Sequence, residues 1–476
     1  MLHPETNNFS SENTTPEQDA RRKFITAHAA EMKPVVSDPK TIDAITEGQD
    51  SDEEVMDKAL EEFENKLFSL EKAESECEPD ARRVLLSADN PGSYNVISAL
   101  VRELEHDPRC KGISVVTGGF ASREFAKAFG DRFAQVSNRD KPFLTDVDKT
   151  VSGEKPLDIM VGSYNTQNGP ESIPLYSGKS VFGAKKVVYI CDSWGGPGGA
   201  FTDTYKGSVY EDEGKRPAFS DIDAIICNDA FAKAAIRKHL PDFPEEKILP
   251  IGTPVLDSLE QDKGEEHRAA CREKLGIPFE AFSVLYLGAV SNDYQSPTYA
   301  NLHIDTRINE KTFERTVEEV VRYANEHPER TFALLIRLHP RDPSQQALLE
   351  ITERLELPPN LIVRRADRSA VSINEAVYGA DVVASIESTE NYLAPHRGRH
   401  SVFLGYNDLG MGSAILEYNF GQSTPELSKQ KGIHLVASPN ELEGVFDAVK
   451  DEPIPIGSAK QSTSSKRISD VMFTSK

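Results

Sequence analysis

The strongest constraint on this chain is a rhythm that begins at Arg83 and runs through most of its length: short apolar stretches alternate with segments of helical period. Val84-Leu85-Leu86-Ser87 is followed by a loop and then by a helix with Val96, Ile97, Leu100, Val101 and Leu104 on one face. Further strands are predicted at 113–116, 133–136, 158–161, 187–191, 224–227 and 247–251, with a helix over 122–129. A second series follows at 283–287, 332–338, 361–363, 382–385 and 401–404, with helices over 311–325, 344–355, 372–378 and 440–449. Strands that are apolar throughout and separated by helices are parallel strands covered on both faces and joined by right-handed crossovers. The chain therefore predicts an α/β fold of two tandem Rossmann-like, doubly wound domains.

Composition sets the outer limits. Of the 476 residues, 54 are Lys or Arg and 77 Asp or Glu, a net charge of −23. Residues 1–80 alone hold 21 acidic and 8 basic side chains, so the excess negative charge belongs largely to a leader. A chain of this sign does not coat nucleic acid, which needs a field of Lys and Arg. A hydrophobic fraction of 38% supplies ordinary cores and excludes disorder throughout. No run of 18 apolar residues occurs, and the first residues lack the basic-then-apolar order of a secretory signal. The expectation is a cytoplasmic protein without a transmembrane segment, extended to peripheral placement at the inner face of the membrane. Five cysteines with no C-x-x-C pair suggest neither a disulfide framework nor a structural zinc site, and Cys191 and Cys227 sit in apolar runs as buried residues.

Residues 1–50 are too poor in apolar surface to order themselves. Over 52–72, Val55, Ala59, Phe63, Leu67 and Leu70 recur at helical spacing. This helix either packs on its own protein or serves a protein partner or self-association. The expected division is an acidic, mostly disordered leader (1–80), a first domain (81–258), a second domain (259–454) and a flexible Ser-, Lys- and Thr-rich tail (455–476). The charged helical stretch 264–275 is broken by Gly276-Ile277-Pro278.

Familiar signatures fail. The glycine run 195–199 lacks the G-x-G-x-x-G spacing, and Gly178-Lys179-Ser180 lacks the upstream P-loop glycine because position 173 is Ile173. Asp221-Ile222-Asp223 opens a strand at the edge away from the expected cleft, where solvated carboxylates are the simpler reading. Open α/β domains bind ligands at the carboxyl ends of their strands, so the loops there carry the chemistry. Arg337-Leu338-His339-Pro340-Arg341 closes one strand, and Pro340 fixes the turn that holds His339 where a phosphate could accept from it. Another strand runs into Ser388-Thr389, whose small hydroxyls either cap a helix or meet a diphosphate; both roles are compatible. Gly288, Ser291 and Asn292 follow the first strand of the second series and are candidates for the nucleotide or leaving phosphate. Arg364, Arg365 and Arg368 read as a solvated cluster.

The order of the His-Pro loop, the Gly379-Ala380-Asp381 turn, the Ser388-Thr389 helix start, Arg399-His400-Ser401-Val402-Phe403-Leu404 and Gly432-Ile433-His434-Leu435-Val436 resembles the nucleotide-binding half of GT-B-fold glycosyltransferases. Within them it is most similar to bacterial sialyl-, polysialyl- and glycerophospho-transferases and, more distantly, to UDP-N-acetylglucosamine 2-epimerases. The resemblance covers residues 83–450 in architecture and 332–442 in motif. It implies a donor-phosphate site of Arg337, His339, Arg341, Ser388 and Thr389, and inverting, metal-independent transfer from a nucleotide-activated donor to a glycan or other hydroxyl acceptor. Surface-glycan or polysaccharide biosynthesis is the implied setting, with no cofactor beyond the nucleotide-sugar donor. No E-x7-E pair starts at Glu387 or Glu390, since the residues eight beyond them are Pro395 and Gly398, against the retaining families that use one. The acceptor and the general base fall to the first domain, with Asp192 the first candidate base and Asp89 the second. Asn90, Gly92, Tyr94 and Trp194 are the acceptor-binding candidates, Trp194 either stacking on a sugar or simply packing. A nucleotide-sugar 2-epimerase and a non-catalytic GT-B-like interaction protein are the alternatives.

Overall fold

A computed structural model describes residues 66–88, 91–137, 157–163, 179, 183–191, 222–258, 264–289, 304–305, 307–339, 345–409, 431–451 and 464–474. The first domain is built on a sheet of β1 (Lys66–Glu71), β2 (Arg82–Ala88), β3 (Cys110–Thr117), β4 (Ala134–Ser137), β5 (Ile159–Ser163), β6 (Lys186–Ile190), β7 (Ala224–Cys227) and β8 (Ile248–Pro250). Helices α1 (Pro91–His106), α2 (Gly119–Phe129) and α3 (Ala230–His239) follow β2, β3 and β7. The predicted apolar face of α1 is the one that packs: Val96, Ile97, Leu100, Val101 and Leu104 are all fully buried.

The sheet order is β4-β1-β3-β2-β5-β6-β7-β8. Without β1 this would be a doubly wound parallel sheet that reverses direction between β2 and β5. β1 lies antiparallel between β3 and β4, with Phe68 opposite Val115 on one side and Gln135 on the other. Here the structure corrects the sequence reading. Residues 66–71 form a strand rather than the end of a helix, so the first domain starts within the expected leader; residues 52–65 of that predicted helix lie outside the described residues.

The second domain contains α4 (Glu265–Leu275), β9 (Phe282–Leu287), α5 (Ile308–Glu326), β10 (Phe332–Arg337), α6 (Gln345–Arg354), β11 (Leu361–Arg365), α7 (Ile373–Gly379), β12 (Val382–Ser385), α8 (Thr389–Leu393), β13 (His400–Leu404), β14 (Ile433–Val436) and α9 (Glu441–Asp451). Its strands are all parallel in the order β11-β10-β9-β12-β13-β14, the dinucleotide-fold order, with the reversal between β9 and β12. Gly276 ends α4 in the left-handed conformation at φ 66°, as the Gly-Ile-Pro break requires.

At the amino edge of the reversal, Asp381 accepts from the backbone N–H of Ser283 at 2.9 Å, the Ser283 hydroxyl at 3.0 Å and Arg272 Nη2 at 2.8 Å, and it pairs with Arg268. Arg272 is 1% exposed and also donates to the carbonyls of Gly379 at 2.9 Å and Ala281 at 2.7 Å. This knot ties α4, β9 and β12 together.

A second correction concerns the end of the chain. Residues 464–473, expected within a loose tail, form α10 (Ser464–Phe473), which docks on the first domain. Ile468, Met472 and Phe473 join the same apolar cluster as Phe68 and Leu100, and Tyr392, Phe403 and Ile433 of the second domain enter it too. Asp257 accepts from the backbone N–H groups of Ser464 at 3.1 Å and Ser465 at 2.6 Å, capping α10. Gly252 leaves room for this dock, because a Cβ there would lie 2.5 Å from Ser464 Oγ, and its φ is 108°. Asp107 accepts from the Ser469 hydroxyl at 2.6 Å and from Arg109. Burial opposes its ionisation, but these hydrogen bonds hold its carboxyl well below the ordinary range.

Removing one partner of a buried ion pair leaves the other charge uncompensated. Asp381→Ala is expected to cost about 3–5 kcal/mol, read as a lower urea midpoint with an unchanged slope.

Candidate functional site

The reversal between β9 and β12 opens a crevice at their carboxyl ends, and the sequence candidates of the second domain gather beside it. Gly288 follows β9 and donates its N–H to the Arg337 carbonyl at 2.9 Å. A Cβ on Gly288 would lie 3.3 Å from the His339 backbone nitrogen, so glycine lets the ends of β9 and β10 close up where His339 leaves the sheet. The His339 side chain is half-buried. On the other side of β9, Ser388 caps α8, its Oγ accepting from the Glu390 N–H at 3.3 Å, and Thr389 is exposed at the first helical position. Gly288, His339, Ser388 and Thr389 thus stand on three adjacent strand ends.

The arginines divide differently from the sequence expectation. Arg337, only 8% exposed, donates through Nη1 to the Val371 carbonyl at 2.8 Å, so it tethers the loop before α7. Burial, with the Arg368 charge adding to it, pushes Arg337 down to about 10. It remains a cation under the crevice. Arg397 is an internal strut at 2% exposure. It donates to Glu390 Oε2 at 2.6 Å and to Asn374 Oδ1 at 2.6 Å, joining α8 to α7.

Asn391 escaped the sequence reading. It is fully buried, accepts from the Ser385 hydroxyl and donates to the Val402 carbonyl at 2.7 Å, fixing α8 against β12 and β13. An Asn on the inner face of a helix that begins after a strand is the signal by which the sequence could have shown it.

The first domain meets this edge. Asp229, the cap of α3, accepts from Ala232 N at 2.7 Å. Burial raises the Tyr392 hydroxyl well above its ordinary value, and Glu387 and Asp229 beside it add to the effect. Arg368 has Arg123 and Glu124 of α2 as charged neighbours. Among the acceptor candidates, Gly92 is exposed in the first turn of α1, and Tyr94 donates to the Glu124 carbonyl at 3.3 Å, where burial raises its hydroxyl. Tyr94 therefore joins α1 to α2. Asp223 accepts from Val187 N at 3.0 Å and pairs with Lys179, a structural role at the strand start. Asp89, Asn90, Asp192, Trp194, Ser291, Asn292 and Arg341 lie outside the described residues.

Two parallel-dominated sheets, each reversing at a central crevice, with the last helix returning to the first domain, define a GT-B-like fold. No protein family matches the sequence, and no characterised protein matches it by sequence. Solved structures match the fold at low identity. UDP-GlcNAc 2-epimerase from Neisseria meningitidis bound to UDP-GlcNAc is 10% identical, with 82% of this chain and 99% of that one covered at a TM-score of 0.51. A putative UDP-N-acetylglucosamine 2-epimerase from Listeria monocytogenes is 13% identical, covering 82% and 95% at 0.53. MnaA of S. aureus with UDP is 12% identical over the same shares at 0.52. No helix among the described residues is long and apolar enough to cross a membrane.

Glu390→Ala strands the buried Arg397 charge and is expected to cost about 3 kcal/mol, measured by urea unfolding. Glu375 completes a capping box with Ser372 and pairs with Lys274. The Lys274 contact first, then the Ser372 hydrogen bonds, hold its carboxyl down to about 2. A lowered carboxylate stabilises the fold above its unfolded value and loses that contribution as pH falls toward the folded one. Glu375→Gln should therefore lower the urea midpoint at pH 6, and the difference from the parent should shrink as pH falls from about 4.5 through about 2.

Proposed function

We propose that the chain is an enzyme acting on a nucleotide-activated sugar, and that it transfers the glycosyl group, with inversion, to a hydroxyl acceptor. The observation that supports this reading is the convergence of Gly288, His339 and the Ser388-Thr389 turn at the reversal of the second sheet, above the buried cation Arg337. A diphosphate needs hydrogen-bond donors and positive charge where its negative charge grows as the bond to the sugar breaks. The His339 ring would donate to the leaving phosphate. Thr389 and Ser388 would supply hydroxyl donors from the opposite side of β9, Arg341 would add a second cation, and Gly288, Ser291 and Asn292 would line the nucleotide side. Arg337 acts through its field, since its guanidinium already holds a loop carbonyl.

The acceptor belongs to the first domain. A carboxylate there, Asp192 first and Asp89 second, would take the acceptor's proton as its oxygen attacks the anomeric carbon from the face opposite the nucleotide. Epimerisation of a nucleotide sugar is the second reading, favoured by the fold that the chain shares with 2-epimerase structures over 82% of its length. Bacterial sialyl- and polysialyl-transferase chemistry is the narrower form of the first reading and rests on the His-Pro and Ser-Thr motifs.

Calorimetric titration with UDP, CDP, CMP and GDP tests the site. His339→Ala is expected to weaken the preferred nucleotide about tenfold, the loss of one charge-assisted hydrogen bond. Unchanged affinity removes His339 from the site. Product analysis by NMR, with and without a hydroxyl acceptor, then separates transfer from epimerisation.

A further inference from the structure

Where the second sheet opens into its crevice, β9 runs past both of its neighbours. It pairs with β12 as far as Tyr286 and with β10 as far as Leu287, and the Gly288 N–H still reaches the Arg337 carbonyl at 2.9 Å. The next residue, Ala289, lies beyond both ladders and is only 6% exposed. A buried N–H needs an acceptor. Asn309, in the first turn of α5, supplies it: its Oδ1 accepts from the Ala289 N–H at 3.0 Å and from the Tyr286 hydroxyl at 3.0 Å. One carboxamide oxygen therefore holds β9 twice, through a side chain within the strand and through the backbone just past its end.

Hydrophobic burial does not select an Asn at this position. Tyr286 and Ala289 belong to the apolar cluster of the second domain together with Ile308, Phe313 and Val317 of α5, and Asn309 is fully buried among them. A leucine would bury more apolar surface with no polar atom to desolvate. The polar character continues on the same face of the helix: Thr312 and Thr316, three and seven residues on, are fully buried too. Thr316 Oγ1 lies 3.0 Å from the hydroxyl of Tyr406, two residues past the end of β13. The first half of α5 thus ties two strand ends by hydrogen bonds, and the β9 end is the one at the reversal. There Gly288 runs against the His339 backbone, to which a Cβ on Gly288 would approach within 3.3 Å. A shift of the chain at Ala289 is therefore a shift of the wall beside His339.

We propose that Asn309 is a positioning residue of the crevice: by accepting from Ala289 it sets the course of the chain where it leaves β9, beside the backbone of His339. Being fully buried, it acts through Ala289 and Gly288 rather than on a ligand. Both N–H groups of this turn are committed inside the protein, unlike the free N–H groups of a loop that cradles phosphate. The β9 side of the crevice is accordingly a shaped wall, and hydrogen bonds to a phosphate fall to the ends of β10 and β12. The service of Asn309 to a ligand rests on the nucleotide-sugar reading, whereas the anchoring is a property of the ligand-free chain.

The test uses the full chain with Asn309→Leu and Asn309→Ala, which remove the acceptor with and without keeping its volume, Asn309→Asp, which keeps an oxygen in place, and Tyr286→Phe. Hydrogen exchange resolved to single amides compares Ala289 with the ladder amides of β9 in the ligand-free proteins. Asn309→Leu or Asn309→Ala, whichever folds, is expected to speed exchange at Ala289 about tenfold more than in the ladder, the loss of one hydrogen bond. Asn309→Asp restores the parent's ratio. Tyr286→Phe keeps that ratio as well, because the Ala289 bond remains, although its melting temperature falls. Calorimetric titration of the same proteins with UDP, CDP, CMP and GDP should follow the exchange and not the melting temperature: the preferred nucleotide is weakened about tenfold when the acceptor is removed, recovers in Asn309→Asp and is unchanged in Tyr286→Phe. Exchange at Ala289 in step with the ladder, nucleotide affinity unchanged without the acceptor, or an equal loss of affinity in Tyr286→Phe each overturns the positioning role. A parent that binds none of the four nucleotides, while Ala289 is still released on removing the acceptor, upholds the anchor and removes the nucleotide-sugar reading instead.

Discussion

Asp381 sits where the second sheet changes direction, and its carboxylate holds both strands of the reversal. One oxygen takes the Ser283 backbone, the Ser283 hydroxyl and Arg272, while the other meets Arg268. Parallel strands at a reversal are followed by helices on opposite faces, so nothing beyond the ladder keeps their amino ends in register. The ion pairs and hydrogen bonds of Asp381 supply that restraint, and Arg272 extends it to the end of α7 through the Gly379 carbonyl. With the amino ends of β9 and β12 fixed, their carboxyl ends separate at a defined place. Gly288, His339 and Ser388 owe their nearness to that restraint at the far end of the strands.

The carboxyl edge uses the same kind of chemistry on a smaller scale. Arg397 ties α8 to α7 through Glu390 and Asn374, and Asn391 ties it to β12 and β13. A five-residue helix has little stability of its own, so these side chains decide where Ser388 and Thr389 stand. The buried charges therefore fix this strand edge, where His339 is half-buried and Thr389 exposed.

Much of the fold was legible because parallel strands covered on both faces write themselves as continuous apolar runs. Ala224–Cys227 and Val382–Ser385 have the predicted bounds. β1 was not legible, since Leu67 and Leu70 continue a helical spacing from Phe63 while Phe68 and Leu70 alternate as a strand does. Only pairing with β3 and β4 decides between the two periods. α10 was masked by its composition: Ser464, Ser465, Lys466 and Ser469 read as tail, yet Ile468, Met472 and Phe473 recur on one face and are buried. For the candidate site, His339 and the Ser388-Thr389 turn stand at strand ends as the sequence placed them, because apolar strands mark their own ends. The sequence showed the charge of Arg337 but not that its guanidinium turns to the Val371 carbonyl, and direction is a tertiary property.

The return of α10 also bears on how the chain is made. The apolar cluster under α1 contains Phe68 near one end of the described residues and Phe473 near the other, along with Tyr392 and Phe403 of the second domain. Domains usually fold as units while synthesis proceeds, the amino-terminal one first. Here the amino-terminal domain cannot close its core until residues 464–473 have left the ribosome. While the second domain is being made it therefore carries an open apolar face, which is covered only once α10 follows.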